Sequence, residues 1–437
     1  MICGIRNILA VLSIFKVGPL EMIRTQAGLL PLFVGLCLIS RGVAHSSPQE
    51  TPQKTARSGY TGDASCVACH RQTSQSYQHT PHHLTSRLPT SSSILGSFQK
   101  GRNSLTIVNG AQSAEPELQF LMEARPDGFF ETAQTGWGSK VFKRTERIDL
   151  VTGSGSRGQT YLFWRGNRLF ELPVSFWKDG RQWINSPGYI DGTADFSRTV
   201  NPACLECHAT YIRALSTDPN TNQYDRASLV PGISCESCHG PGANHVRIET
   251  EKRTRSADRS IDGILNPAKF SRDRQVDLCA ECHNGIQRVG LKPTFSYIPG
   301  RPLSEYFKAL PSSSSEHPDV HGNQVALLQR SKCYRSSEKM SCTTCHDVHT
   351  TGQTIESYSQ KCLDCHSWQS CGLAKKMGHQ IVNRCIGCHM PVEETNVIVS
   401  QTAGQVVHAK MRNHWIKVYP ALQLSSAAET KRDGDQK

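Results

Sequence analysis

Fourteen of the eighteen cysteines stand in pairs three positions apart, and a histidine directly follows each pair. The copies are Cys66-Val-Ala-Cys69-His70, Cys204-Leu-Glu-Cys207-His208, Cys235-Glu-Ser-Cys238-His239, Cys279-Ala-Glu-Cys282-His283, Cys342-Thr-Thr-Cys345-His346, Cys362-Leu-Asp-Cys365-His366 and Cys385-Ile-Gly-Cys388-His389. Random placement at this composition would give on the order of 0.03 copies. Two thiols at this spacing can each add to one vinyl group of a haem, and the next imidazole then reaches the iron as proximal ligand. Competing chemistries fit worse. A thioredoxin-like pair occurs once and makes no use of the histidine. Structural zinc takes two knuckles per ion, and seven knuckles are odd in number. A disulfide scaffold gives no reason for fixed spacing. Seven covalent c-type haems are expected, with His70, His208, His239, His283, His346, His366 and His389 as proximal ligands.

Each iron has a sixth position. A haem with two histidines passes electrons, whereas one lacking its distal ligand can bind a substrate. His245 follows its motif through Gly240-Pro-Gly242, a turn that aims the imidazole at a neighbouring haem. His349 is too close to His346 to reach the opposite face of the same porphyrin. His379 precedes the last motif and His414 follows it. His82 stands beside His79 and His83, either of which could substitute, and His321 or His317 lies upstream of the fifth motif. His408 is ambiguous. Six candidates, His82, His245, His321, His349, His379 and His414, serve seven motifs, so the count does not close. Methionine ligation is weaker, with 7 Met in the chain. Cys333 and Cys371 stand outside the motifs, with a disulfide, free thiols or a ligand role as alternatives.

Covalent attachment of this kind takes place outside the cytoplasm, and the N-terminus reads as an export signal. Arg24 opens a charged segment, Ala27 to Ile39 is apolar, and Gly42-Val-Ala44 offers small residues for cleavage. Residues 1–44 are expected to be a signal peptide, with Met22 an alternative start and Cys3 and Cys37 lost. The apolar run, broken by Pro31, is shorter than the ~20 residues a span requires. No stable transmembrane span is therefore expected after cleavage, and a periplasmic or otherwise exported location is. The formal charge of +12 falls to roughly +9 without residues 1–44. Two propionates per haem leave about −1 for each ferric haem and −2 for each ferrous one. Seven haems bring the total to roughly +2 oxidised or −5 reduced, which removes the case for nucleic acid.

The elements that must position these residues are unevenly distributed. After His70 a long motif-free stretch carries Ser104–Val108, Gly128–Thr132, Thr160–Trp164, Arg168–Leu172 and Arg181–Ile184, short β-branched or aromatic segments. Turn signals separate several of them, among them Pro126-Asp-Gly128, Arg165-Gly-Asn167 and Lys178-Asp-Gly180. The expected fold is a mainly α, loop-rich multihaem cytochrome c fold with a β-rich insertion at about 100–190. The expected organisation is a linker at 45–65, a first haem segment at 66–99, the insertion, a six-haem region at 191–420 and a disordered tail at 421–437. Short helices around Cys and His, with haem faces in place of leucine stripes, are expected from 196 onward.

Several strings resemble the multihaem cytochromes of the cytochrome c-552/4 type, a superfamily that includes hydroxylamine oxidoreductase, pentahaem nitrite reductase and octahaem tetrathionate reductase. They are Tyr60-Thr-Gly-Asp-Ala-Ser-Cys66, Gly232-Ile-Ser-Cys-Glu-Ser-Cys-His-Gly-Pro-Gly-Ala-Asn-His245, Ser341-Cys-Thr-Thr-Cys-His-Asp-Val-His349 and Cys385-Ile-Gly-Cys-His-Met-Pro391. Leu172-Pro-Val-Ser-Phe176, Ser186-Pro-Gly-Tyr189 and Cys204-Leu-Glu-Cys-His-Ala-Thr-Tyr211 also match. The resemblance implies close-packed, mostly bis-histidine haems and supports His82, His245, His349, His379 and His414 as distal ligands. It has departures. Tyr77 stands where a tryptophan is usual, and no motif is the CxxCK of pentahaem nitrite reductase. No tyrosine matches the cross-linked one of hydroxylamine oxidoreductase.

The sequence thus points to a heptahaem electron relay between a quinol-linked donor or other cytochrome and a terminal partner. The alternative is a reductase or oxidase of a small inorganic nitrogen or sulfur compound at one five-coordinate haem.

Overall fold

The computed structural model describes residues 59–107, 118–136, 140–251, 263–285, 288–309, 317–318 and 323–420. The expected signal peptide, most of the linker, the tail 421–437 and His321 lie outside these residues.

Two antiparallel sheets occupy the stretch between the first and second motifs. Ser104–Ile107, Leu118–Arg125, Gly128–Thr135 and Phe142–Arg147 pair in chain order. The second sheet runs Ser86–Arg87, Leu150–Thr152, Gly158–Arg165, Val174–Trp177, Gln182–Asn185, with Arg168–Glu171 also paired to Gly158–Arg165. Side chains on a strand alternate between faces. Leu118, Phe120 and Met122 accordingly turn inward together, and they meet Tyr161, Phe163, Val174 and Trp183 of the second sheet in one core. The tight turns fall on the residues that signalled them. Arg125 faces Gly128 across Pro126-Asp127, and Arg165 faces Arg168 across Gly166-Asn167. Gly166 has φ 60°, the left-handed backbone that a two-residue hairpin loop requires.

The expectation of a mainly α fold is overturned: helix makes up 29% and strand 28%. Strands also form outside 100–190. Ala209–Ala214 pairs with Tyr224–Pro231, Arg288–Gly290 with Phe307–Ala309, and Val392–Thr402 with Gln405–Arg412. The reason is backbone hydrogen bonding. Most motif-bearing helices are single turns such as Pro202–Glu206 and Cys235–His239. Such short helices satisfy few backbone groups, and the segments between them must pair with one another.

The last hairpin also covers a sheet edge. The Asn185 backbone N–H donates to Thr402 Oγ1 (2.9 Å), and Ser400 Oγ donates to the Asn185 carbonyl (2.7 Å). The strand Gln182–Asn185, at the end of the six-stranded sheet, is closed off there, as exposed edges of globular sheets usually are.

Candidate haem-binding sites

Each motif is built on one turn. The His70 N–H donates to the Cys66 carbonyl (2.8 Å), His346 to Cys342 (3.0 Å) and His366 to Cys362 (2.9 Å). Positions i, i+3 and i+4 then share a face, so two sulfurs and one imidazole project together. The Asn201 side chain caps the second motif's helix by accepting from the Cys204 N–H (3.2 Å).

The structure brings four of the seven proximal histidines opposite a second histidine. Ring centroids are 6.4 Å apart for His70 and His245, 6.1 Å for His239 and His349, 6.1 Å for His82 and His283, and 6.2 Å for His346 and His414. An iron between two imidazoles would set their centres about 6.2 Å apart, from a metal–nitrogen bond of about 2.0 Å and about 1.1 Å from nitrogen to ring centre on each side. The donor set fits haem iron. Three pairs lie within 23–27° of parallel, and His82 and His283 cross at 82°.

Hydrogen bonds select the tautomer. The Nδ1 of His239 lies 2.8 Å from the Leu265 carbonyl, that of His389 2.9 Å from the Lys417 carbonyl, and that of His414 3.1 Å from the Arg412 carbonyl. A carbonyl only accepts, so Nδ1 carries the proton and Nε2 keeps its lone pair for a metal. His208 Nδ1 is 3.1 Å from Thr85 Oγ1, and His346 Nδ1 is 3.2 Å from the Tyr358 hydroxyl. Burial lowers the pKa of His82, His239 and His346, and pushes those of His283 and His414 down to about 4. These imidazoles are neutral at pH 7, the form that binds metal.

Thiols of neighbouring motifs lie close enough to interact: Cys66 with Cys235, Cys279 with Cys342, Cys207 with Cys282, and Cys362 with Cys385. Cys238 lies within electrostatic reach of Cys279, and Cys345 of Cys362. The motifs therefore run first, third, fourth, fifth, sixth, seventh in space, with the second beside the fourth.

The remaining candidates are placed differently. His379 is exposed, its ring 5.5 Å from that of Trp368, two residues after His366. His317 Nδ1 lies 2.9 Å from Glu393 Oε2, shortly after the seventh motif. His408 Nδ1 is 3.3 Å from the Thr395 carbonyl within the last hairpin. Among the described residues no disulfide joins Cys333 to Cys371.

Sequence reasoning missed the residues that hold the motifs in place. Glu206, inside the second motif, is buried, accepts the Phe295 N–H (2.8 Å) and pairs with Arg288 (3.3 Å). Glu236, inside the third, accepts three backbone N–H groups. Both occupy variable positions of CxxCH, where a glutamate reads as solvent-facing.

The sequence profile described as cytochrome c554 and c-prime matches residues 160–240. The C-type polyheme cytochrome OmcB of Geobacter sulfurreducens is 25% identical over 180 residues, 40% of this chain and 21% of OmcB. The dissimilatory sulfite reductase MccA of Wolinella succinogenes is 22% identical, with 90% of this chain and 59% of MccA aligned. The multiheme cytochrome MtrA of Shewanella baltica is 21% identical, over 47% of this chain and 52% of MtrA. The chain thus spans about a fifth of the length of the first of these relatives. Among solved structures, the outer cell wall cytochrome OcwA matches with a TM-score of 0.49 at 15% identity, over 82% of this chain and 80% of that one. The matched profile spans the second and third motifs, and these similarities support a multihaem c-type cytochrome of this superfamily with covalently bound c-type haem.

Proposed function

We propose that the chain is an exported heptahaem cytochrome that relays electrons between redox partner proteins, a quinol-linked donor or other cytochromes. The observation that carries this reading is the set of four histidine pairs at 6.1–6.4 Å, each joining residues remote in sequence. Haem iron cycles between ferric and ferrous states at potentials set by its ligands and burial. The chain's part is to hold, orient and desolvate. His70 with His245, His239 with His349, His283 with His82, and His346 with His414 supply ligand pairs. The position of His379 beside Trp368 supports a pairing with His366. The contact between His317 and Glu393 supports His317 as a candidate partner of His389. The closeness of cysteines from successive motifs supports adjacent attachment sites, which an electron path requires.

The test is the intact mass of the exported protein, expected to exceed that of the polypeptide by seven haems. A product with fewer haems, or with zinc, overturns the reading.

The alignment of MccA over 90% of the chain favours a second reading, reduction of a small sulfur or nitrogen compound at one five-coordinate haem. A high-spin ferric signal from about one haem in seven, shifted by cyanide or sulfite, would support it. Uniformly low-spin haems support the carrier.

A further inference from the structure

We propose that Glu236 is a positioning residue for the first haem, holding both of its histidine ligands in place through a carboxylate clasp between the first and third motifs. This rests on the reading of His70 and His245 as a ligand pair.

Glu236 lies between the two cysteines of the third motif and is 3% exposed. A buried carboxylate costs several kcal/mol unless it is well hydrogen-bonded. Here Oε1 accepts the backbone N–H groups of Thr61 (2.9 Å) and Gly242 (2.8 Å), and Oε2 accepts that of Gly62 (2.8 Å). Thr61 and Gly62 lead into the helix Asp63–Val67 that starts the first motif, and so fix His70. Gly242 leads into the helix Ala243–Glu251, whose first turn carries His245. One side chain therefore governs both halves of the 6.4 Å pair.

The contact is reciprocal. Asp63 Oδ1 accepts the Cys235 N–H (3.0 Å), so each motif's carboxylate binds the other's backbone. The Ala243 N–H donates to the Gly59 carbonyl (3.0 Å). Gly59 has φ +85°, and a Cβ there would lie 3.3 Å from Pro241 Cβ. A Cβ at Gly242 would lie 3.3 Å from Glu236 Oε1. The Gly-Pro-Gly loop and the Tyr60-Thr-Gly segment fit together around one carboxylate. The first haem is the candidate whose spin state Glu236 controls, although Glu236 sits in the third haem's motif.

The test compares Glu236→Ala, Glu236→Gln and His245→Ala in the full holoprotein by intact mass and low-temperature electron paramagnetic resonance. All attachment cysteines are untouched, so the haem content of Glu236→Ala is expected to equal that of the wild type. About one haem in seven should change from low-spin to high-spin ferric, and added imidazole should return it to low-spin. Glu236→Gln retains side-chain volume but presents an amide N–H to a backbone N–H, and should give the same change in part; it serves if the alanine variant does not accumulate. Combining Glu236→Ala with His245→Ala should add nothing to the spin change of His245→Ala. If His245→Ala converts one haem and the Glu236 variants remain fully low-spin, the clasp is overturned. If His245→Ala itself leaves every haem low-spin, the ligand pairing falls, and the clasp with it.

Discussion

A histidine becomes a dependable ligand when its second nitrogen is occupied, and the Nδ1 contacts of His239, His389 and His414 do that with backbone carbonyls. No side-chain substitution removes a carbonyl, which makes these contacts robust to sequence drift. The sensitive positions are those where a side chain does the holding. Breaking a buried ion pair by removing one partner costs about 3–5 kcal/mol, so Glu206→Ala is expected to destabilise the protein by that order, read by chemical denaturation. A loss below 1 kcal/mol would show that the pair with Arg288 contributes little. Each of His82→Ala, His349→Ala and His414→Ala should convert one haem to high-spin without loss of haem mass. A variant that stays low-spin removes that residue from the ligand set. The spacing of the paired cysteines and following histidines marked them as candidates because the chemistry demands it. His245 and His349 were candidates because local geometry excludes their own haem, and each ring lies opposite a histidine of another motif. Glu236, Thr85 and Tyr358 were not, since each acts on a group distant in sequence and nothing local marks it.

Among the elements, the strands between the first and second motifs were legible from β-branched segments and turn residues, and they fall near the expected positions. The hairpin Val392–Thr402 with Gln405–Arg412 was missed, although Val399, Val406 and Val407 flank Ala403-Gly404 as a strand–turn–strand should. The insertion also holds an unexplained acid. Glu131 on the strand Gly128–Thr135 is fully buried, and its carboxyl oxygens make no hydrogen bond of ordinary geometry among the described residues, although the Val174 backbone is near enough to interact. Burial raises its pKa well above the usual carboxylate range, and the Val174 backbone offsets only part. The folded state therefore keeps a proton that the unfolded chain releases above about pH 4.5. Its contribution to stability is present below that pH and is lost as pH rises towards the folded value. Glu131→Leu should stabilise the protein at pH 7 by about 1–3 kcal/mol and remove this loss, measured as melting temperature against pH. A variant less stable at every pH would mean that Glu131 has a partner it needs.

For the whole molecule, charge and haem content are linked. The polypeptide's isoelectric point of about 9.0 should fall towards neutrality once seven haems contribute their propionates, and fall further on reduction. Isoelectric focusing of oxidised and dithionite-reduced protein reads both shifts. A value that stays near 9 in both states would contradict the haem count. No helix among the described residues is long and apolar enough to cross a membrane. The spatial order of the motifs was not legible, because it depends on which thiols meet across the chain. That order departs from chain order only at the second motif, which sits beside the fourth through Cys207 and Cys282.

On the proposed pairing, the ligands would also impose a timetable on biogenesis. A chain exported from its N-terminus would deliver His82 before the fourth motif, so an iron attached there would find its second imidazole already waiting. The first, third and fifth motifs would have the opposite fortune. Their proposed partners, His245, His349 and His414, follow His70, His239 and His346 by many residues, and His414 comes only after the closing hairpin. Between attachment and closure those three irons would have an open position that oxygen or a stray ligand can occupy. Maturation, more than turnover, is therefore the stage at which this cytochrome is chemically vulnerable.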